Sequence, residues 1–99
     1  MSTDLTIFAR FHAREGEAAV LEQAIADVIG HTRAEPACLA IEAYRSIRDP
    51  RLFHIHSRWV DEPGFEAHAG LPHTVRFLAR AETLVDQPIE VSRARPLRG

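Results

Sequence analysis

Apolar and polar residues alternate in steps of two along the first stretch of the chain, then recur in steps of three and four. Leu5, Ile7, Ala9 and Phe11 alternate with Thr6, Phe8, Arg10 and His12. This is the pattern of a strand with one strongly apolar face. Phe8 makes the second face only partly polar, so that face also needs cover. Arg14-Glu15-Gly16-Glu17 turns the chain. From Ala18 the period changes: Ala18, Leu21, Ala24, Ile25, Val28 and Ile29 predict an amphipathic helix, with Glu17, Glu22, Gln23 and Asp27 outward. Pro36 ends it, because proline disfavours the helical conformation at the preceding residue, Glu35.

Leu39, Ile41 and Ala43 alternate with Ala40, Glu42 and Tyr44, a second strand running to about Ile47. Arg48-Asp49-Pro50-Arg51 reads as a turn. Phe53, Ile55, Ser57 and Trp59 then alternate with His54, His56 and Arg58, a third strand and the second arm of an antiparallel hairpin. Asp61 is placed to cap a helix with Glu62 and Pro63 in its first turn. Gly64 weakens that turn by about 1 kcal/mol relative to alanine. Gly70 and Pro72 divide the helix into Glu62–Ala69 and Pro72–Val85, the longer piece striped by Phe77, Leu78, Ala81, Leu84 and Val85. Pro88 opens a last strand from Ile89 to about Arg95. The order β-α-β-β-α-β is an α+β, ferredoxin-like arrangement. It gives a four-stranded antiparallel sheet with the helices on one face. Phe8 and Tyr44 fall on the other face. Nothing is left in the chain to cover them except a second copy, which predicts a homodimer with sheets face to face around a pocket.

The chain has 99 residues, read as a single domain over 1–99, and is 45% hydrophobic and 26% charged. A net charge of −2 offers no electrostatic footprint for nucleic acid or an anionic membrane. All 12 basic residues are arginine, so a Schiff-base lysine mechanism is excluded. Cys38 is the only cysteine, which rules out an intrachain disulfide and fits a cytoplasmic location. It reads as a small buried residue rather than a nucleophile. No apolar run approaches the roughly 20 residues that span a membrane. Asp4 and Arg10 within an alternating pattern are not those of a signal peptide.

The chemistry concentrates between Trp59 and Phe77, as Trp-x5-Phe-x2-His-x4-His-x3-Phe. Imidazole is the side chain best suited to move protons near neutral pH, and aromatic walls suit a flat apolar substrate. The alternative is that these are ordinary core and surface residues. His68 shares a helix face with Phe65. His73 follows Pro72 in a first helical turn, where the helix dipole disfavours a protonated imidazole. On an unbroken helix five residues turn through about 500°, so only the Gly70–Pro72 break lets both histidines approach one cavity. Arg10 could clamp an anion in a dimer-side pocket or form an interface salt bridge. Tyr44 could orient a substrate oxygen or pack at the interface. Trp59 reads as a packing anchor before a pocket wall. His54 and His56 have a spacing that can bind metal, but with no carboxylate or cysteine in the same run no metal is expected. Phosphate-loop, dinucleotide-binding and serine-nucleophile motifs are absent.

These residues resemble the antibiotic biosynthesis monooxygenase domain family, which includes quinol monooxygenases. The strongest part is Trp59-Val60-Asp61-Glu62 through Phe65-Glu66-Ala67-His68, then Pro72-His73 and Phe77. Glu35-Pro36-Ala37-Cys38-Leu39, Tyr44-Arg45-Ser46 with Asp49-Pro50, and the closing Ile89-Glu90-Val91 to Arg95-Pro96-Leu97 extend it. The resemblance implies a dimeric α+β barrel. It also implies oxygenation of a small quinol, phenol or anthrone by molecular oxygen, without flavin, haem or metal. His68 and His73 are then the candidates for proton transfer, and Phe65, Phe77 and Trp59 the candidate walls. Ala37 and Ser57 depart from the family pattern, which usually has glycine and often glutamate at these places. The chain has no asparagine, which separates it from the haem-degrading branch. Two other functions fit the same pattern: isomerisation of a small phosphorylated keto-sugar or signal molecule, and binding of a hydrophobic ligand without turnover.

Overall fold

In the computed structural model, which describes residues 4–97, the elements are β1 (Leu5–His12), α1 (Ala18–Thr32), β2 (Cys38–Arg45), β3 (Leu52–Trp59), α2 (Glu62–Ala69), α3 (Pro72–Leu84) and β4 (Glu90–Ala94). This is the predicted ferredoxin-like order, with the second helical segment in two pieces. Every strand pairing is antiparallel, in the order β2-β3-β1-β4. The apolar face of β1 lies under the helices, with Leu5, Ile7, Ala9 and Phe11 all buried. Ile41, Phe53 and Ile55 extend that layer, and Leu21, Ile25, Val28 and Ile29 of α1 and Ala81 and Leu84 of α3 close it. A fully buried leucine, isoleucine or phenylalanine contributes about 1.5–3 kcal/mol, so this layer is the main source of stability. Cys38 is half-buried and packs against it.

The outer sheet face is open. Phe8 is 51% and Tyr44 54% exposed there, and the His56 ring lies 5.1 Å from that of Phe8. No described helix is long and apolar enough to cross a membrane.

Local chemistry sets the element ends that matter for the site. Helix α1 ends at Thr32, short of Pro36, with the Thr32 hydroxyl donating to the Val28 carbonyl at 2.7 Å. The Ala34 and Glu35 amides then donate back to the carbonyls of His31 and Thr32, a turn tighter than an α-helix. Glu35 therefore leaves the helix axis. Asp61 caps α2 as expected, its Oδ1 accepting from the Gly64 amide at 2.8 Å. Leu71 is extended (φ −70, ψ 146), as the residue before a proline prefers, and this separates α2 from α3. A Cβ on Gly64 would lie 2.7 Å from the Ala37 Cβ. The glycine that weakens α2 thus lets it dock directly on the turn that carries Glu35. Strand β2 ends at Arg45, because the Ser46 hydroxyl accepts from the Arg48 and Asp49 amides and closes the hairpin turn.

Candidate active site

Glu35 stands between two imidazoles. Its Oε2 accepts a hydrogen bond from His68 Nδ1 at 2.9 Å and from His73 Nε2 at 2.8 Å. A carboxylate is only an acceptor, so each of these ring nitrogens carries the proton. The side chains are 12%, 12% and 19% exposed for Glu35, His68 and His73, so the cluster is shielded but reachable. Its members come from three segments: the turn after α1, the last turn of α2 and the first turn of α3. Gly70 and Leu71 supply the change of direction that brings both histidines onto one carboxylate.

Neighbouring rings fix each imidazole. Trp59 is fully buried, with its ring centroid 4.5 Å from that of His68. Its indole N–H donates to Ser57 Oγ at 3.0 Å. Leaving that donor unpaired would cost about 1–3 kcal/mol, so Ser57 has a structural role here. The Thr74 hydroxyl lies 3.3 Å from His68 Nδ1. His31 stacks on His73 at 5.4 Å.

The two histidines open onto different spaces. His68 lines a cavity of about 100 Å³ between the sheet and the helices, with Phe65, Phe77, Ser57 and Thr74 among its walls. Val91 of the edge strand, 51% exposed, also lines it, so the cavity opens toward β4. His73 lines a groove of about 300 Å³ between α1 and α3, beside His31, Arg76 and Arg80. Phe77 and Val28 border both spaces. A neutral imidazole that donates through Nδ1 keeps its lone pair on Nε2. No described protein group hydrogen-bonds His68 Nε2. The arrangement therefore offers an oriented base at the edge of an apolar cavity.

The structure brings together His68, His73, Phe65 and Phe77, with Trp59 behind the His68 ring rather than in the cavity wall. Arg10 and Tyr44 lie on the opposite sheet face, where Arg10 donates to Gln87 Oε1 at 2.8 Å and Tyr44 pairs across from His54. This cavity sits on the helical side of the sheet, whereas Arg10 and Tyr44 lie on the face where a second copy is expected to enclose a pocket. Glu35 escaped the sequence reading as a site residue. Its only signal was its place before Pro36, read there as a helix end. His54 and His56 share a spacing that can bind metal, but the described cluster with donors suited to a metal ion is Glu35, His68 and His73.

A second histidine–carboxylate cluster occupies the far end of the sheet. His12 Nδ1 donates to Asp86 at 2.7 Å and Nε2 to Asp49 at 2.8 Å. These bonds, Asp86 first, raise the His12 pKa above its ordinary value. Asp86 is lowered, chiefly by His12, and Asp49 is lowered by the Arg51 amide and then by His12. Both ring nitrogens are occupied as donors, which makes this a tie between β1, the β2–β3 turn and the segment after α3.

The chain is similar to known proteins in both sequence and fold. The chain is 27% identical over 97 residues to Putative monooxygenase Rv0793 of Mycobacterium tuberculosis, covering 98% of this chain and 95% of that protein. The solved structure of Rv0793 superposes with a TM-score of 0.90, covering 97% of each chain. PA3566 from Pseudomonas aeruginosa superposes with a TM-score of 0.90 at 30% identity, covering 99% of this chain and 98% of that one. The model of the antibiotic biosynthesis monooxygenase family matches residues 4–80, and the chain belongs to that family.

Proposed function

We propose that the protein is a cofactor-independent monooxygenase that oxidises a small single-ring quinol or phenol with molecular oxygen, with His68 as the general base. The observation that carries this reading is the Glu35–His68 hydrogen bond at 2.9 Å, which orients the imidazole, together with the place of His68 on an apolar cavity. His68 Nε2 takes the phenol proton, and Glu35 stabilises the imidazolium as it forms, the division of labour seen in a catalytic triad. The ring anion supplies the electrons to oxygen. One oxygen atom ends on a ring carbon. The other leaves as water, carrying the proton from His68 and the hydrogen of that same ring carbon. The apolar walls keep bulk water from the anion.

The cavity is about 100 Å³, smaller than an engineered cavity of about 150 Å³ that accommodates benzene. Even one ring therefore needs the walls to give, and a fused anthrone needs more, so the smaller ring is favoured. Dimerisation belongs to the same proposal, since half-exposed Phe8 and Tyr44 share the open sheet face. Light scattering at micromolar concentration should give twice the chain mass.

The test is oxygen uptake by metal-free protein with a panel of quinols, phenols and anthrones, beside the His68→Ala variant. Saturable uptake that falls by roughly 10²–10⁴-fold in the variant supports the reading, and unchanged turnover in the variant removes His68 from the mechanism. The isomerase reading draws on one observation, the groove where Arg76 and Arg80 stand beside His73. Turnover of a phosphorylated keto compound without oxygen would favour it.

A further inference from the structure

We propose that Glu35, His68 and His73 bind one divalent transition-metal ion, zinc above all, and that the bound ion switches off the base at the cavity. The second half rests on the reading of His68 given above; the binding half does not. Glu35, His68 and His73 each offer one donor atom, all within 4.8 Å of one another, and Glu35 Oε2 touches both His68 Nδ1 and His73 Nε2. Two imidazoles and one carboxylate are the donor set of open zinc centres and of facial-triad iron sites. Metal–ligand bonds of about 2.0–2.2 Å place tetrahedral donors about 3.4 Å apart. The N···O separations of 2.8 and 2.9 Å would open slightly on binding. Trp59 and His31 back the two rings. The groove beside His73 leaves room for water at the fourth position. The His12 cluster lacks this character, because Arg51 already stands 3.4 Å from Asp86 and supplies a cation there.

The consequence follows from imidazole chemistry. A neutral ring coordinated through Nδ1 must carry its single proton on Nε2. Nε2 of His68, the proposed base, then becomes a donor and can no longer accept the substrate proton. No electron transfer is involved, and a chelator reverses the change.

The experiment uses the full chain stripped with EDTA. Calorimetry with zinc should show one ion per chain, and cobalt(II) should give the visible bands of an imidazole-bound ion. Glu35→Gln and His73→Phe should each weaken binding by roughly tenfold or more, while His12→Gln should leave it unchanged. Absence of saturable binding, or affinity indifferent to both site variants, overturns the proposal. Nitrogen-15 spectra read the switch without any need for turnover. Zinc should move the His68 proton from Nδ1 to Nε2, and an unmoved proton overturns the switching half. Where oxygen uptake is measurable, zinc should abolish it and EDTA restore it. Full uptake at full occupancy also overturns the switching half.

Discussion

The two ends of the sheet carry the same side-chain types in opposite ratio. At the β1 start, where Leu5 pairs with Trp59, one carboxylate lies between two imidazoles. At the β1 end, where His12 pairs with Leu52, one imidazole lies between two carboxylates. The counts decide the chemistry. His12 donates from both nitrogens, so it is an imidazolium with no lone pair left. His68 and His73 each satisfy Glu35 with one N–H and can keep the other nitrogen unprotonated. Histidine–acid pairing alone therefore does not mark a reactive site. What marks it is a nitrogen that the acid does not use, on a ring that lines an apolar cavity as His68 does.

The largest expected effect is the loss of turnover in His68→Ala already given, against which His12→Gln should leave turnover unchanged. Comparable losses in both variants would erase the distinction between the two clusters. Glu35→Gln keeps the shape of the bridge but removes its charge. We expect kcat to fall by roughly 10–100-fold with KM little changed, since orienting partners of reactive histidines commonly contribute that much. Steady-state kinetics check it.

Stability offers a smaller contrast. Gly64→Ala should raise helix propensity in α2 yet destabilise the protein by about 1–3 kcal/mol, because the new methyl meets Ala37 at 2.7 Å. Adding Ala37→Gly should recover much of the loss, measurable by urea unfolding. The site end is thus held by small-residue packing, and the far end by charge.

The smallest effect is a pH dependence at the far end. The His12 pKa is raised by Asp86 and Asp49, so its contribution is full below the ordinary imidazole value of 6.5 and is lost as pH rises through the raised value. Asp86 and Asp49 are lowered, so theirs is full above 3.8 and is lost as pH falls through the lowered values. The tie is therefore strongest between these limits. Thermal melts of the wild type should lose midpoint temperature above pH 6.5 relative to His12→Gln. Parallel profiles would count against the tie.

The fold was legible because periodicity reports burial directly: Leu5 to Phe11 alternate and are buried, and Ala18 to Ile29 follow the helix repeat. Asp61, Gly70 and Pro72 set their boundaries through local chemistry that sequence states openly. Glu35 was not legible, because it meets His68 across 33 residues and no local pattern encodes that contact. The turn that aims it is made by the Ala34 and Glu35 amides bonding back to His31 and Thr32. Arg10 and Tyr44 lie on the sheet face their alternation assigns, and the cavity lined by His68 is on the other face, under the broken helix. Ser57 looked like a missing glutamate and is the partner of the Trp59 indole.

The most direct test is nitrogen-15 NMR of the histidine side chains at a pH just above the ordinary imidazole range, with metal-free protein. The account predicts both nitrogens of His12 still protonated, and His68 carrying its proton on Nδ1 with Nε2 bare. A His68 proton on Nε2, or a His12 ring with a bare nitrogen, would contradict it.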